Sequence, residues 1–120
     1  MKNKTLVLGA SENPARYSNM AIQRLLSKGH EVVAIGKLPG SVNGVAINTG
    51  QQPTEEIDTV TLYLNPLHQK PYYDYIISLK PRRIIFNPGA ENEELENIAR
   101  KAGIATLEAC TLVMLGTGQY

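Results

Sequence analysis

Long apolar runs are missing from this 120-residue chain, and none approaches the ~20 residues that a bilayer-spanning helix needs. Cysteine is nearly absent. Cys110 stands alone, which excludes an internal disulfide and a cysteine-built zinc site. Neither sign of charge prevails: twelve Lys and Arg oppose eleven Asp and Glu, for a net charge of +1. The chain therefore lacks the electrostatic footprint of a protein that grips nucleic acid or an anionic membrane. Its opening residues, Met1-Lys2-Asn3-Lys4, run into a short strand-like stretch and not into a signal peptide. What is present is a globular composition, with 42% apolar and 19% charged residues. That apolar fraction is enough to offset the ordering entropy of folding. The expectation is one soluble, cytoplasmic domain over residues 1–120, too short for a second core.

Short β-branched runs alternate with longer helical stretches. Strands are expected at Thr5–Leu8, Glu31–Ile35, Thr59–Leu64, Arg83–Phe86 and Ile104–Leu107. Helices are expected over Asn19–Lys28, His68–Leu79 and Glu91–Lys101, each stopped by a nearby Gly or Pro. Between the second and third strands lies a loop rich in Gly and Pro, with a short extended piece at Val45-Ala46-Ile47. The strands are almost wholly apolar, which implies burial on both faces of a parallel sheet covered by helices. With right-handed crossovers this gives a three-layer α/β fold, a Rossmann-like, doubly wound parallel sheet of five strands.

Ligands of such sheets bind beyond the carboxyl ends of the strands, near the point where the strand order reverses. The first of these ends reads Gly9-Ala10-Ser11-Glu12-Asn13-Pro14-Ala15-Arg16-Tyr17-Ser18-Asn19. Gly9 permits a tight turn, Ser11, Asn13 and Ser18 offer polar side chains, and Arg16 offers a charged fork for phosphate. The same residues also suit a turn glycine, a helix cap at Ser18 or Asn19 and a solvated arginine. Position after the first strand favours phosphate. A dinucleotide fingerprint needs G-x-G-x-x-G and an acid about 20 residues on. Here Ser11 and Pro14 replace the later glycines, and Ile35-Gly36-Lys37 carries no acid. NAD is thereby disfavoured, whereas Lys37 suits a phosphorylated ribose, as in NADP or coenzyme A.

The run Gly-Ala-Ser-x-Asn-Pro-x-Arg-Tyr-Ser, followed by Lys-Gly-His-Glu-Val-Val at Lys28–Val33, resembles the small stand-alone CoA-binding domain proteins. These are similar to the N-terminal CoA-binding domain of the succinyl-CoA synthetase alpha subunit. The resemblance extends from Lys4 to about Val113 and takes in Asn87-Pro88-Gly89-Ala90, Ala102-Gly103-Ile104 and Cys110. It implies coenzyme A or an acyl-CoA as ligand, with phosphates near Gly9, Ala10, Ser11, Asn13, Arg16, Tyr17 and Ser18. Lys37 and Asn65 are further candidates, and adenine would lie near the ends of strands two and three. The chain departs from the family's usual pattern in three places. It has Gly36-Lys37-Leu38 in place of Asn-Pro-Lys, Thr111-Leu112 in place of a Glu-His pair after Cys110, and Asn65-Pro66 where Arg or another polar residue is common.

Nothing in the sequence converges on a catalyst. His30 precedes the second strand at the far sheet edge and reads as structural. His68 follows Asn65-Pro66 at the ligand edge and reads as an exposed residue at a helix start. Cys110 reads as an inert, buried thiol. Glu91, Glu93, Glu94 and Glu96 read as an acidic helix start with a solvated face. Lys80, Arg82 and Arg83 lie at the wrong edge, and are too few for strong nucleic-acid binding. The expected function is non-catalytic binding of a small-molecule CoA ligand, as carrier, sensor or accessory subunit. Rival readings are an NADP-binding reductase and a ligand-free interaction module. A protein partner or a homo-oligomer is open on this evidence, with the apolar Leu112–Leu115 as a packing surface or part of the chain's own core.

Overall fold

A computed structural model describes residues 3–120. The central strand, β1 (Thr5–Ala10), is buried on both sides. Leu6 and Leu8 enter one core, while Val7 and Ala10 enter the other. Val7 and Ala10 share a face despite odd spacing because the pairing with the next strand skips Gly9, which adopts φ +104°. This bulge re-aims the end of the strand, a conformation that glycine tolerates.

Among the described residues the sheet has seven strands, two more than the five expected, in the order β3-β4-β2-β1-β5-β6-β7. They are β2 (Val32–Gly36), β3 (Gly40–Val42), β4 (Val45–Asn48), β5 (Thr59–Leu62), β6 (Arg83–Phe86) and β7 (Ala105–Glu108). The extra pair is a hairpin in the Gly- and Pro-rich stretch. Val42 pairs with Val45 across Asn43 and Gly44, both with positive φ, as a two-residue type I′ turn requires. Only the β4 half was visible as an extended piece, since three residues of β3 are too short to show alternation. β3 and β4 pair antiparallel, and β4 then joins β2 in parallel. The β1–β2, β1–β5, β5–β6 and β6–β7 pairs are also parallel.

Helices cover both faces. α1 (Tyr17–Ser27) buries Ala21, Ile22 and Leu25 against the core that also holds Leu115 of α5 (Thr111–Gly116). On the other face, Ile76 of α3 (Tyr73–Ser78) and Leu95 and Ala99 of α4 (Glu93–Lys101) meet Leu8, Leu62, Ile84 and Phe86. The stretch expected as one helix from His68 to Leu79 is divided into α2 (Pro66–Gln69), a 3-10 turn at Lys70–Tyr72, and α3. Pro71 sits in that turn and has no N–H to continue the ladder. The tail expected after the last strand is helical as α5. Two readings of buried surface are corrected. β7 is the sheet edge and is not buried throughout, while Glu96 is buried at 7% exposure and not solvated.

The amino-terminal edge of the sheet is closed by polar contacts. Arg83, 6% exposed, donates from Nε to Thr59 Oγ1 and from Nη2 to the Tyr120 carbonyl, both at 2.9 Å, and lies over the Tyr120 ring. His30 packs edge-to-face on the same ring, and its Nδ1 accepts from the Asn3 amide. Arg82 forms a two-pronged pair with Asp58. Burial pushes the Asp58 carboxyl up, but hydrogen bonds from Arg82 and Thr59 and the charges of Arg82 and Arg83 hold it below its ordinary value. These basic residues are thus committed to internal partners at the edge away from the strand ends. Among the described residues no helix is long and apolar enough to cross a membrane.

Candidate functional site

The strand order reverses at β1, between β2 and β5, and the carboxyl ends of these strands frame a cleft of ≈ 340 Å³. Its floor is apolar, from Leu8, Ile35 and Leu64. Lys37, Thr49, His68 and Tyr72 supply polar atoms around it, and Gly9 and Gly36 complete the lining. The two glycines are there for space. A Cβ at Gly9 would stand 3.0 Å from the Tyr63 carbonyl carbon, and one at Gly36 only 2.2 Å from the Ala10 carbonyl oxygen. At Gly36 the backbones approach more closely than any side chain would allow, and at Gly9 the contact is tight and the φ of +104° favours glycine.

Next to the cleft, the loop after β1 is held by its own polar groups. Ser11 Oγ accepts from the Asn13 amide at 3.1 Å, and Asn13 Oδ1 accepts from the Ala15 amide at 3.0 Å. Buried Asn19 donates from Nδ2 to the Ser11 carbonyl and accepts from Gln23. This turn delivers the chain to α1 with Arg16, in extended conformation, as the residue before the helix. The expected cap at Ser18 or Asn19 is therefore displaced: the chain turns helical at Tyr17, and Arg16 makes no side-chain cap. The opening amides of a helix have no intrahelical acceptor and carry the positive end of its dipole. The first turn of α1 holds no acid, whereas that of α4 holds Glu93, Glu94 and Glu96. Of these two helix starts, α1 is the one whose field is left for an external anion.

The predicted residues divide by position. Gly9 and Lys37 line the cleft. Ala10 ends β1 and is buried. Ser11 is half-buried in the adjoining loop, and Asn13, Arg16 and Tyr17 are exposed along it, Tyr17 at 71%. Ser18 is buried in the first turn of α1. Asn65 is exposed and caps α2 by accepting from the His68 amide at 3.1 Å, just beyond the cleft residue Leu64. Thr49 escapes the sequence reading because β4, which it follows, reads there only as a short extended piece, Val45-Ala46-Ile47, inside a loop and not as a strand of the sheet. Tyr72 lines the cleft along with His68.

The walls are fixed from beneath. Buried Asn87, after β6, donates to Thr61 Oγ1 at 2.7 Å and the Leu62 carbonyl at 2.9 Å, and accepts from the Thr111 amide at 2.8 Å. Gln69, fully buried, donates to the carbonyls of Leu64 and Ala90 and accepts from Asn92. These amide side chains tie together the loops that follow β5, β6 and β7, and the first of these carries the cleft residues Leu64 and His68. The Tyr63 hydroxyl is buried near Thr61 and Thr111, and burial drives its pKa well above the ordinary phenol value. Cys110 is half-buried at the start of α5. Among the described residues no group of three or more His, Cys, Asp or Glu side chains is placed to hold a metal ion.

A family model described as a CoA binding domain matches residues 3–116. An uncharacterized protein of known crystal structure is 49% identical, with a TM-score of 0.97 over 100% of this chain and 99% of its own. A conserved hypothetical protein from Pyrococcus furiosus is 26% identical, with a TM-score of 0.79 over 92% and 97% of the two chains. The dinucleotide forming acetyl-coenzyme A synthetase 1 of Ca. Korarchaeum cryptofilum, solved with phosphate and ADP, is 18% identical with a TM-score of 0.70. That match covers 90% of this chain but 26% of the synthetase, and it is a likeness of fold. No curated protein matches the chain.

Proposed function

Because the chain belongs to the CoA-binding domain family, we propose that it binds coenzyme A or an acyl-CoA without transforming it. The observation that carries the reading beyond the family is the start of α1: no acid in its first turn, exposed Arg16 before it, and a loop that leads to it from the cleft residue Gly9. The donor chemistry fits an anionic ligand. Backbone amides at the start of α1, the Arg16 guanidinium and the polar side chains of Ser11 and Asn13 would face phosphate oxygens. Lys37, across the cleft, would meet a phosphate on the ribose. The apolar floor would take the base, between Leu8, Ile35 and Leu64. At ≈ 340 Å³ the cleft is at the small end of ligand sites, so a ligand of this length would place one end there and run out along the rim.

Holding a phosphorylated carrier is what these groups do best: they bind, orient and neutralise charge. In this reading residues 1–120 act as one binding unit, and carriage, sensing or service to a partner protein would follow from occupancy. Lys37 would serve the ribose phosphate of NADP equally well, so that ligand is the natural competitor. Calorimetric titration with CoA, acetyl-CoA, NADP, NAD and ATP separates the cases. CoA or acetyl-CoA should bind and the others bind at least tenfold more weakly. Preference for NADP would replace the proposal with a reductase, and no binding of any nucleotide would leave the fold as a protein-interaction scaffold.

A further inference from the structure

Glu12 places an acid inside the loop that faces the proposed phosphates, where a negative charge opposes the ligand. Its side chain nevertheless has a defined seat. Oε2 accepts a hydrogen bond from the Ser41 amide at 2.9 Å. The carboxylate lies against Gly40, where a Cβ would stand 2.2 Å from Glu12 Cδ and 2.4 Å from Cγ. The carboxylate has room because residue 40 is glycine. Gly40 and Ser41 open β3, β3 pairs with β4, and the cleft residue Thr49 directly follows β4. One contact thus links the loop after β1 to the hairpin whose far end reaches the cleft.

We infer that Glu12 is a positioning residue, latching the loop 11–16 to the β3–β4 hairpin so that the anion-facing loop and the Thr49 side of the cleft keep one relative placement. The inference deepens the CoA reading and rests on it. The latch requires an acceptor oxygen and space over Gly40. It does not require the negative charge, which only repels phosphate.

Three variants separate these features: Glu12→Gln keeps the acceptor and removes the charge, Glu12→Ala removes both, and Gly40→Ala fills the seat and leaves Glu12 unchanged. Alanine at position 40 meets the end of a flexible side chain and not backbone, so it displaces the carboxylate with little strain on the fold. CoA titration of the intact protein should show Glu12→Ala and Gly40→Ala weakened by about three- to tenfold, the size of a partly exposed charge-assisted hydrogen bond. Glu12→Gln should bind at least as tightly as the parent, with the largest gain at low salt. Hydrogen exchange at the Ser41 amide should be slow in the parent and Glu12→Gln and fast in the other two. Parent-like affinity in both Glu12→Ala and Gly40→Ala overturns the inference, as does Glu12→Gln binding as weakly as Glu12→Ala. If the parent binds no CoA, the CoA reading fails instead. Ser41 exchange then judges the latch, and fast exchange in the parent overturns it.

Discussion

Substituting Gly36 by alanine should be the most damaging single methyl addition at the cleft. The new Cβ would lie 2.2 Å from the Ala10 carbonyl oxygen and 3.0 Å from Ile47 Cγ2. Relieving the first contact to even 3.0 Å requires β1 and β2 to separate by most of an ångström, because the obstacle is main chain and has no rotamer to change. Both strands are packed on both faces, so the movement would propagate into Leu8, Ile35 and the opposite core. Overpacking of this kind costs about 1–3 kcal/mol, and a backbone obstacle puts Gly36→Ala at the upper end. At roughly 4 °C per kcal/mol for a chain of this length, the melting temperature should fall by on the order of 10 °C. Gly50→Ala is the control, since nothing lies within 4 Å of its Cβ, and it should fall within about 0.5 kcal/mol of the parent. Urea titrations of both variants provide the free energies. A Gly36→Ala protein as stable as the Gly50→Ala control would refute the close approach of β1 and β2 on which the cleft geometry depends.

Other substitutions test the walls and the loop. Asn87→Ala removes three buried hydrogen bonds and leaves the Thr111 amide without its acceptor, so chemical denaturation should show a loss of about 2–4 kcal/mol. Glu96 is raised above its ordinary pKa by burial, then by sharing a hydrogen bond with Glu108 and by that residue's charge. A carboxyl with a raised folded-state pKa stabilises the fold most below its ordinary titration range, and this is lost as pH rises toward the folded value. Glu96→Gln should flatten that decline and melt higher than the parent at neutral pH, and an unchanged pH profile would remove the carboxyl pair as its source. Arg16→Ala should weaken CoA binding by about 1.5–3 kcal/mol in calorimetry while leaving the melting temperature of the ligand-free chain unmoved.

Much of this architecture is legible in the sequence because it rests on strong local signals. The apolar runs at Thr5, Val32, Thr59 and Arg83 become the parallel strands, and of the helical face Leu95, Ile98, Ala99 and Ala102 that spacing predicts, Leu95 and Ala99 enter the core while Ile98 and Ala102 stay exposed. What escaped were features with little local signature. Three residues of β3 show no period, and the Asn43-Gly44 turn that makes them a strand lies inside a Gly- and Pro-rich loop. The raised pKa of Glu96 comes from burial together with a hydrogen bond to Glu108, twelve residues away on an edge strand. At the site, the loop motif marks the end of β1, and the cleft there also draws on Thr49, His68 and Tyr72, which sit far apart in the chain. Glu12 read as the variable position of a motif, and its contact with Ser41 exists only once the hairpin folds back.

The central claim, that CoA sits across the start of α1 and the cleft between β1, β2 and β5, is tested most directly by following backbone amide resonances during a CoA titration. The account predicts shifts concentrated at residues 9–18, at Gly36 and Lys37, and around Thr49 and Leu64, with the starts of α4 and β6 undisturbed. Shifts centred on α4, or no shifts at saturating CoA, would contradict it.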